Sequence, residues 1–598
     1  MIMKLFLLVS FLLLLTSCQG RRNLNTWEDK YPFIRYASSF SSSSSTSVGK
    51  AYDYIIVGGG TAGCPLAATL SQNFSVLLLE RGGVPFTNRN VSFLRNFHIS
   101  LADLSPTSAS QYFISSEGVF NSRARVLGGG TCINAGFYTR PSQRQVSFSC
   151  IFLIFHQLDI ERLGLDAKLV NESYPWIENQ IVHMPKLTSW QRAMRYGLLD
   201  IGISPDNGFT YDHLYGTKVG GTTFDRYGRR HTAAELLQSA SRENLDVLIH
   251  ATAQKVVFDK SGKEPKAIGV TFKDEKGKQH QALLSNKQGS EIILSSGAIG
   301  TPQLLLLSGV GPKADLERMN ISMVLDNEFV GRGMADNPMN SLFVPFKTHM
   351  EQSLIQTVGI TKTGVYIEAS SGFSQSSDSI HCDHGMLSAE IGQLTTIPPK
   401  QRTKEAIEAF KRNKHNLPHE VFKGGFILGK VAHTKSRGHL SLCNTNIDDN
   451  PSVSFNYFSH PHDLQQCVHA FHIIKKLVKS THLTNYMPPD EDTFEKLLNL
   501  SVLANVNLLP RHANDTRSLK QFCKDTVTTI WHFHGGCQVG KVVNSDYKVL
   551  GVQGLRVIDG STFSQSPGTN PQATLLMMGR YMGLKILKRR LGHTAAGT

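Results

Sequence analysis

The chain has 598 residues, more than one hydrophobic core usually organises, so at least two domains are expected. Hydrophobic residues make up 40% and charged residues 18%, which excludes an intrinsically disordered chain. The net charge of +15 is scattered as single Lys and Arg residues, with one tight cluster at Lys585, Lys588, Arg589 and Arg590; this is a solvated surface and not a nucleic-acid-binding face, although it permits weak attraction to an acidic cell-wall matrix.

Residues 1–20 read as a secretory signal, with Lys4 as the basic start, an apolar run over 5–15 and a small or polar exit over 16–20. The run is too short for a comfortable transmembrane helix, and no second span of adequate length follows. Residues 21–50, with the nearly pure serine run at 38–47, read as a flexible leader, and ordered structure is expected from Tyr52 onward. Secretion and the cell-wall exterior imply an oxidising compartment, so some of the nine cysteines should pair, with connectivity open; Cys18 lies at or beside the cleavage site. Asn73, Asn90, Asn171, Asn320, Asn499 and Asn514 each begin an Asn-x-Ser/Thr site, and together with a signal peptide they indicate a glycoprotein.

Tyr52-Asp53-Tyr54-Ile55-Ile56-Val57 is short, apolar and β-branched, as a buried parallel strand should be. Gly58-Gly59-Gly60-Thr61-Ala62-Gly63 follows at once, then a helical pattern over 64–72 and a second strand over 75–79 ending at Glu80. A glycine string alone is only a turn. In this strand–turn–helix–strand context Gly58 permits the tight turn, Gly60 lets backbone approach a pyrophosphate, and Gly63 lets helix pack on strand. The first helical amides, with Thr61 and Ala62, then face phosphate, and Glu80, 22 residues past Gly58, is placed for an adenosine ribose. FAD and NAD are both open at this point.

Three further segments carry finer information. The first is Ala124-Arg125-Val126-Leu127-Gly128-Gly129-Gly130-Thr131-Cys132-Ile133-Asn134-Ala135-Gly136-Phe137-Tyr138. The second is Ser296-Gly297-Ala298-Ile299-Gly300-Thr301-Pro302-Gln303, running on to Ser308-Gly309-Val310-Gly311. The third joins Trp531-His532-Phe533-His534-Gly535-Gly536-Cys537, Gly554-Leu555-Arg556-Val557-Ile558-Asp559-Gly560 and Pro567-Gly568-Thr569-Asn570-Pro571-Gln572. In this order they resemble the glucose–methanol–choline (GMC) oxidoreductases, which are FAD enzymes. The Asn134-to-Tyr138 wording and the Trp-His-aromatic-His-Gly-Gly string are similar to the plant HOTHEAD-like and mandelonitrile-lyase-like branch.

The resemblance implies an α/β fold: a Rossmann-like FAD-binding domain from 51–145, 225–340 and 520–598, interleaved with an α+β substrate domain from 146–224 and 341–519, built on an antiparallel sheet plus helices. It implies cofactor contacts at Val126, Thr131, Asn134, Ala135, Gly136, Phe137, Ala253, Trp531, His532, Asp559, Gly560, Pro571 and Gln572, beside Gly58, Gly60, Thr61, Ala62, Gly63 and Glu80. Some relatives attach FAD to a histidine where this chain has Ile133, so noncovalent FAD is expected. The branch also resembles this chain at Cys467 and Cys523, implying a disulfide there. The charge-free apolar stretch 146–158 departs from the family, whose members have a short polar helix; it reads as a buried helix, a substrate cap or translated intron.

Alcohol oxidation needs a base for the hydroxyl proton and a hydride acceptor, and only the flavin can be the latter. Of 23 histidines, His532 falls at the family's catalytic position, with His534 as its neighbouring competitor, and Asn570 falls at the second. His532, His534 and Cys537 also have metal-ligand spacing, but no second ligand cluster accompanies them, and no metal is expected. The expected activity is oxidation of a small-molecule alcohol, on the HOTHEAD-like resemblance a long-chain ω-hydroxy fatty acid. A hydroxynitrile lyase with structural FAD is the alternative, disfavoured by Ile530 and Asn570 where such lyases have Tyr and His. A noncatalytic flavin-binding wall glycoprotein is the third reading.

Overall fold

Residues 26–40, 50–103, 105–141, 165–348, 350–371, 424–488, 494–504 and 518–595 are described by the computed structural model of the chain. The signal segment, residues 41–47 of the serine run and the apolar stretch 146–158 lie outside the described residues.

Four short, wholly buried strands carry the first layer: Tyr54–Val57, Val76–Leu79, Glu291–Leu294 and Leu555–Val557. Their side chains are mostly apolar on both faces, as a parallel sheet covered on both sides requires, and the charged exceptions, Glu291 and Arg556 on neighbouring strands, form an ion pair with each other. With Leu245–Ile249 and Ile34–Tyr36 they form a six-stranded parallel sheet, in the order Ile34–Tyr36, Leu245–Ile249, Val76–Leu79, Tyr54–Val57, Glu291–Leu294, Leu555–Val557. The chain moves outward in both directions from Tyr54–Val57, so the glycine loop after that strand opens at the topological switch point where such sheets bind ligands.

The edge strand Ile34–Tyr36 corrects the expectation that 21–50 is all leader. Ile34 is buried, Phe33 and Tyr31 pack into the main core, and the strand pairs with Leu245–Ile249. Ordered structure therefore starts before Tyr52, with the helix Trp27–Lys30 capped by Thr26.

The second layer is a seven-stranded sheet in the order Thr528–Thr529, Pro338–Pro345, Gly424–Val431, Val365–Ser371, Thr357–Ile360, Gly216–Val219, Asp206–Phe209. All its pairs are antiparallel except the last. Side chains alternate across it as the two-residue period demands. Ile427 and Val431 join one core cluster with the helix Pro461–Leu477, and Gly429 leaves room for Ala470 on that helix. Leu428, on the opposite face, lines the cavity described below. The helix Leu519–Asp525 is bridged to Pro461–Leu477 by the Cys467–Cys523 disulfide, and Thr528–Thr529 pairs in the antiparallel sheet. The last stretch of chain thus joins the dinucleotide layer after 529 and not at 520.

The closing helix Gln572–Ala595 lies against Gly63–Leu70; a Cβ at Gly579 would sit 2.2 Å from the carbonyl oxygen of Ala62, so the two helices touch through backbone. On this helix the basic cluster is internally paired. Lys585 and Arg589 reach Asp546 at 2.9 and 3.1 Å, Arg590 reaches Asp53 at 3.5 Å, and Lys588 reaches Asp166 at 3.8 Å. Among the described residues no helix is long and apolar enough to cross a membrane.

Candidate active site

A cavity of about 310 Å³ runs from the glycine loop to His532 and Asn570. At its dinucleotide end Gly58 has φ +106°, and a Cβ there would lie 2.4 Å from the carbonyl oxygen of Ser295. Gly63 is excluded from any larger residue in another way, since its Cβ would meet the Gly58 oxygen at 2.0 Å. Gly60 differs from both. Its added Cβ would approach no protein atom closer than 3.8 Å, so protein packing does not demand a glycine at this cavity wall. Glu80 closes the loop: Gly59 N–H donates to Oε2 at 3.0 Å and Gly82 N–H to Oε1 at 2.7 Å, while burial raises its pKa.

The loop after Val126 forms the middle of the wall. Val126, Ile133, Asn134, Ala135, Gly136 and Phe137 line the cavity, as do Thr61, Ala62 and Ala253. Asn134 is largely engaged by protein. Its Nδ2 donates to Gln572 Oε1 at 2.8 Å, and its Oδ1 accepts from Gly136 N–H and from Arg230 at 3.0 Å. Gln572 in turn donates to the Phe137 carbonyl at 2.7 Å, so two segments far apart in sequence are tied across the cavity. Thr131 does not line it. Its hydroxyl donates to Gly128 O and accepts from Ala233 N–H, which fixes the loop from behind, and Gly63 likewise acts through packing. Arg230, absent from the sequence reading, braces the same loop by donating to Val91 O and Thr131 O. Burial lowers its pKa to about 9.

At the other end Trp531 has φ +58°, an uncommon conformation for a bulky residue and one that concentrates at functional sites. Trp531 and His532 both line the cavity. The turn is held by Thr529, whose hydroxyl accepts from Trp531 N–H at 2.7 Å, and by Asp336, which accepts from His532 N–H at 2.9 Å. Asp336 also accepts from Thr529 and Tyr457 hydroxyls at 2.6 and 2.5 Å; burial raises its pKa to about 6. The His532 ring contacts Asn337 through Nδ1 at 3.2 Å. Burial, the nearby Lys430 ammonium and His534 hold its pKa well below the ordinary value. His534 is turned back, with Nδ1 on the His532 carbonyl at 3.0 Å, and it does not line the cavity.

Asp559, Gly560, Asn570, Pro571 and Gln572 complete the cavity. Asp559 clamps the start of the helix Gly297–Leu307, accepting from Gly297 N–H at 2.9 Å and the Thr301 hydroxyl at 2.5 Å. Asn570 reaches Lys430, and Met339, Ile355, Leu428 and Ile530 add an apolar wall. Of the expected cofactor residues, all but Gly63 and Thr131 therefore meet in one cavity with both expected catalytic residues. Asp336, Asn337, Arg230 and Lys430 were missed, since no local pattern at any of them points to the site.

These residues fit a flavin dinucleotide. Gly60 and Gly130 both border the cavity with no protein atom within 3.5 Å of an added Cβ, leaving an open cradle at the N-terminus of Gly63–Leu70, where helix amides favour phosphate. Replacing Gly60 with valine is expected to abolish FAD uptake while leaving the fold intact. Flavin absorbance of the purified variant, read beside its thermal midpoint, checks this.

A parallel dinucleotide sheet, a substrate sheet and a histidine at the shared cavity define an FAD-dependent alcohol oxidoreductase of two interleaved layers. The chain belongs to the GMC oxidoreductase family, on its HOTHEAD-like branch: residues 183–339 and 434–579 match the two GMC oxidoreductase family models. It is 62% identical to Protein HOTHEAD of Arabidopsis thaliana, covering 100% of both chains, and 43% identical to an (R)-mandelonitrile lyase-like protein of the same plant, covering 97% of both. The solved structure of formate oxidase from Aspergillus oryzae superposes with a TM-score of 0.68 at 16% identity, over 91% of this chain and 99% of that one.

Proposed function

We propose that the protein oxidises the CH–OH group of an apolar, long-chain alcohol, such as an ω-hydroxy fatty acid, using noncovalently held FAD. The observation that carries this reading is that His532 and Asn570 open on one cavity beside the apolar wall of Met339, Ile355, Leu428 and Ile530. FAD, when bound, supplies the hydride acceptor that no side chain provides. His532 is the base. Its depressed pKa keeps the imidazole neutral at neutral pH, ready to take the hydroxyl proton. Proton acceptance at Nε2 requires the hydrogen on Nδ1. Asn337 Nδ2 lies 3.2 Å from Nδ1 and donates to the Ser566 hydroxyl at 3.0 Å, while Asn337 Oδ1 is buried without a partner. Turning the amide over gives its oxygen both neighbours, fixes the hydrogen on Nδ1 and leaves Nε2 as the acceptor. Asn570 holds the reacting oxygen through its amide and stabilises alkoxide charge as it develops. Thr61, Ala62, Ala253, Asp559, Gly560 and Pro571 are assigned to the cofactor along the same cavity.

Anaerobic mixing with a panel of alcohols tests the reading: flavin absorbance should bleach with long-chain ω-hydroxy acids and respond weakly to short polar alcohols. Failure of every alcohol to bleach it would overturn the assignment. The lyase alternative draws on the mandelonitrile lyase-like relative, and cyanide release from mandelonitrile identifies it. Because Ile133 offers no nucleophile for a flavin link, acid precipitation is expected to leave FAD in the supernatant and a colourless pellet.

Export to the cell exterior through residues 1–20 belongs to the same proposal. Asn73, Asn171, Asn320 and Asn499 are exposed, as glycan acceptors must be. Attraction to acidic wall polymers would come from the diffuse charge of +15, since Asp53, Asp166 and Asp546 offset most of the charge of the cluster at 585–590.

A further inference from the structure

Lys430 is the centre of a buried polar group that the oxidation chemistry above does not use. The strands Val365–Ser371 and Gly424–Val431 pair with Tyr366 opposite Lys430 and Glu368 opposite Leu428. The register puts Tyr366, Glu368, Leu428 and Lys430 on one face of the sheet, the face that Leu428 turns to the cavity. Lys430 and Glu368 both have side chains with 0% exposure and form an ion pair at 2.9 Å. The ammonium lies 3.9 Å from the centroid of the Tyr366 ring and 3.1 Å from Asn570 Oδ1. The Tyr366 hydroxyl is 3.3 Å from Thr569 Oγ1, the residue before Asn570.

A side-chain amide has two nearly isosteric orientations, and its neighbours choose between them. Lysine has three donors and no acceptor, so only the oxygen of Asn570 can face it. The amide nitrogen must then point away from Lys430. An apolar pair of similar volume would hold the sheet equally well, because burying two charges costs about as much as their attraction returns. The ion pair therefore serves a purpose at Asn570 beyond packing.

We propose that Lys430, held by Glu368 and Tyr366, is a positioning residue that locks the Asn570 amide with its nitrogen turned to the reacting oxygen. Without the ammonium the amide turns freely, and half of its orientations present an oxygen to an oxygen. This rests on the role given to Asn570 above. Lys430 also acts on His532 through its charge. The groups facing His532 are Lys430 from the sheet, His534 from its own segment, and Asp336, which accepts its backbone N–H; Glu368 faces Lys430. Of these, Lys430 and His534 lower the imidazole pKa.

The test uses the FAD-loaded full chain. Lys430→Met is paired with Lys430→Met/Glu368→Leu, because the single change leaves a carboxylate buried alone and can prevent folding. Both are compared with Asn570→Ala and with the combined variants. Removing the lock is expected to slow flavin reduction by an alcohol about ten-fold, the worth of one charge-supported hydrogen bond. It should weaken binding of 2,2,2-trifluoroethanol, read from the flavin spectrum, by a similar factor. The acid limb of the rate profile should move to higher pH as His532 loses a neighbouring positive charge. In an Asn570→Ala background the same changes should slow the reaction less than two-fold, since there is no amide left to orient. A full ten-fold loss in that background would overturn the positioning role while leaving the function reading intact, and so would a double variant that keeps the wild-type rate and trifluoroethanol affinity. An Asn570→Ala enzyme reacting at the wild-type rate would remove the role of Asn570 itself.

Discussion

His532→Ala is expected to slow flavin reduction by about 10²–10⁴-fold, the usual cost of losing a positioned base, while FAD stays bound. The retained binding follows from where the contacts lie: the glycine loop, the Asn134–Gln572 tie and the Asp559 clamp are all made by other residues. His534→Ala should leave the reduction rate nearly unchanged, because its ring packs back on the His532 carbonyl and lies outside the cavity lining. The pH dependence has a defined sign. Burial, Lys430 and His534 all push the His532 pKa below its ordinary value of 6.5, so the neutral base persists from neutral pH down past that value. The rate should therefore stay level across pH 6.5 and fall only in more acidic solution. Rapid mixing with a reactive alcohol measures both effects. If His534→Ala is the slow variant and His532→Ala reacts normally, the base has been misassigned.

The part of this site visible in the sequence is the part whose geometry is local. Gly58, Gly60 and Gly63 act within six residues: the positive φ of Gly58 and the contact of Gly63 with the Gly58 carbonyl are short-range backbone geometry, and Gly60 is open toward the cavity where a ligand would approach its backbone. His532 and Asn570 were legible through the family resemblance. The substrate sheet contributed almost nothing legible. Lys430 and Glu368 read as ordinary charges in their own segments, and only the pairing of Tyr366 with Lys430 brings them to Asn570. Asp336 and Asn337 reach His532 from nearly 200 residues away, with separations of 196 and 195. The edge strand Ile34–Tyr36 was missed because three residues carry no periodicity, and its extended form depends on Leu245–Ile249. Asn134 was read as a cofactor contact, yet most of its amide is engaged by Gln572, Gly136 and Arg230, partners that no local pattern announces.

Removing the Cys467–Cys523 disulfide is expected to cost about 4 kcal/mol of stability, on the entropy model for a closed loop of this length. The bridge joins residues 56 apart, and both cysteines are at least 98% buried. It ties the helix Pro461–Leu477, which covers the antiparallel sheet, to the helix Leu519–Asp525, which leads through Thr528–Thr529 to the turn at Trp531. In the unfolded chain the same link forbids most separations of its ends, so its loss acts chiefly on that state. A Cys467→Ser/Cys523→Ser variant should thus keep its flavin spectrum at low temperature but unfold at markedly lower urea. The Trp531–His532 turn should survive there, since Asp336 and Thr529 hold it independently of the bridge. Peptide mapping of the unreduced protein should recover the two cysteines as one linked pair. Exposed Cys443 should alkylate in the native protein, and buried Cys64, Cys132 and Cys537 only after unfolding. Finding Cys467 and Cys523 alkylated separately in the unfolded, unreduced chain would show two free thiols in place of the bridge, and the stability loss should then shrink to that of two buried Cys→Ser replacements.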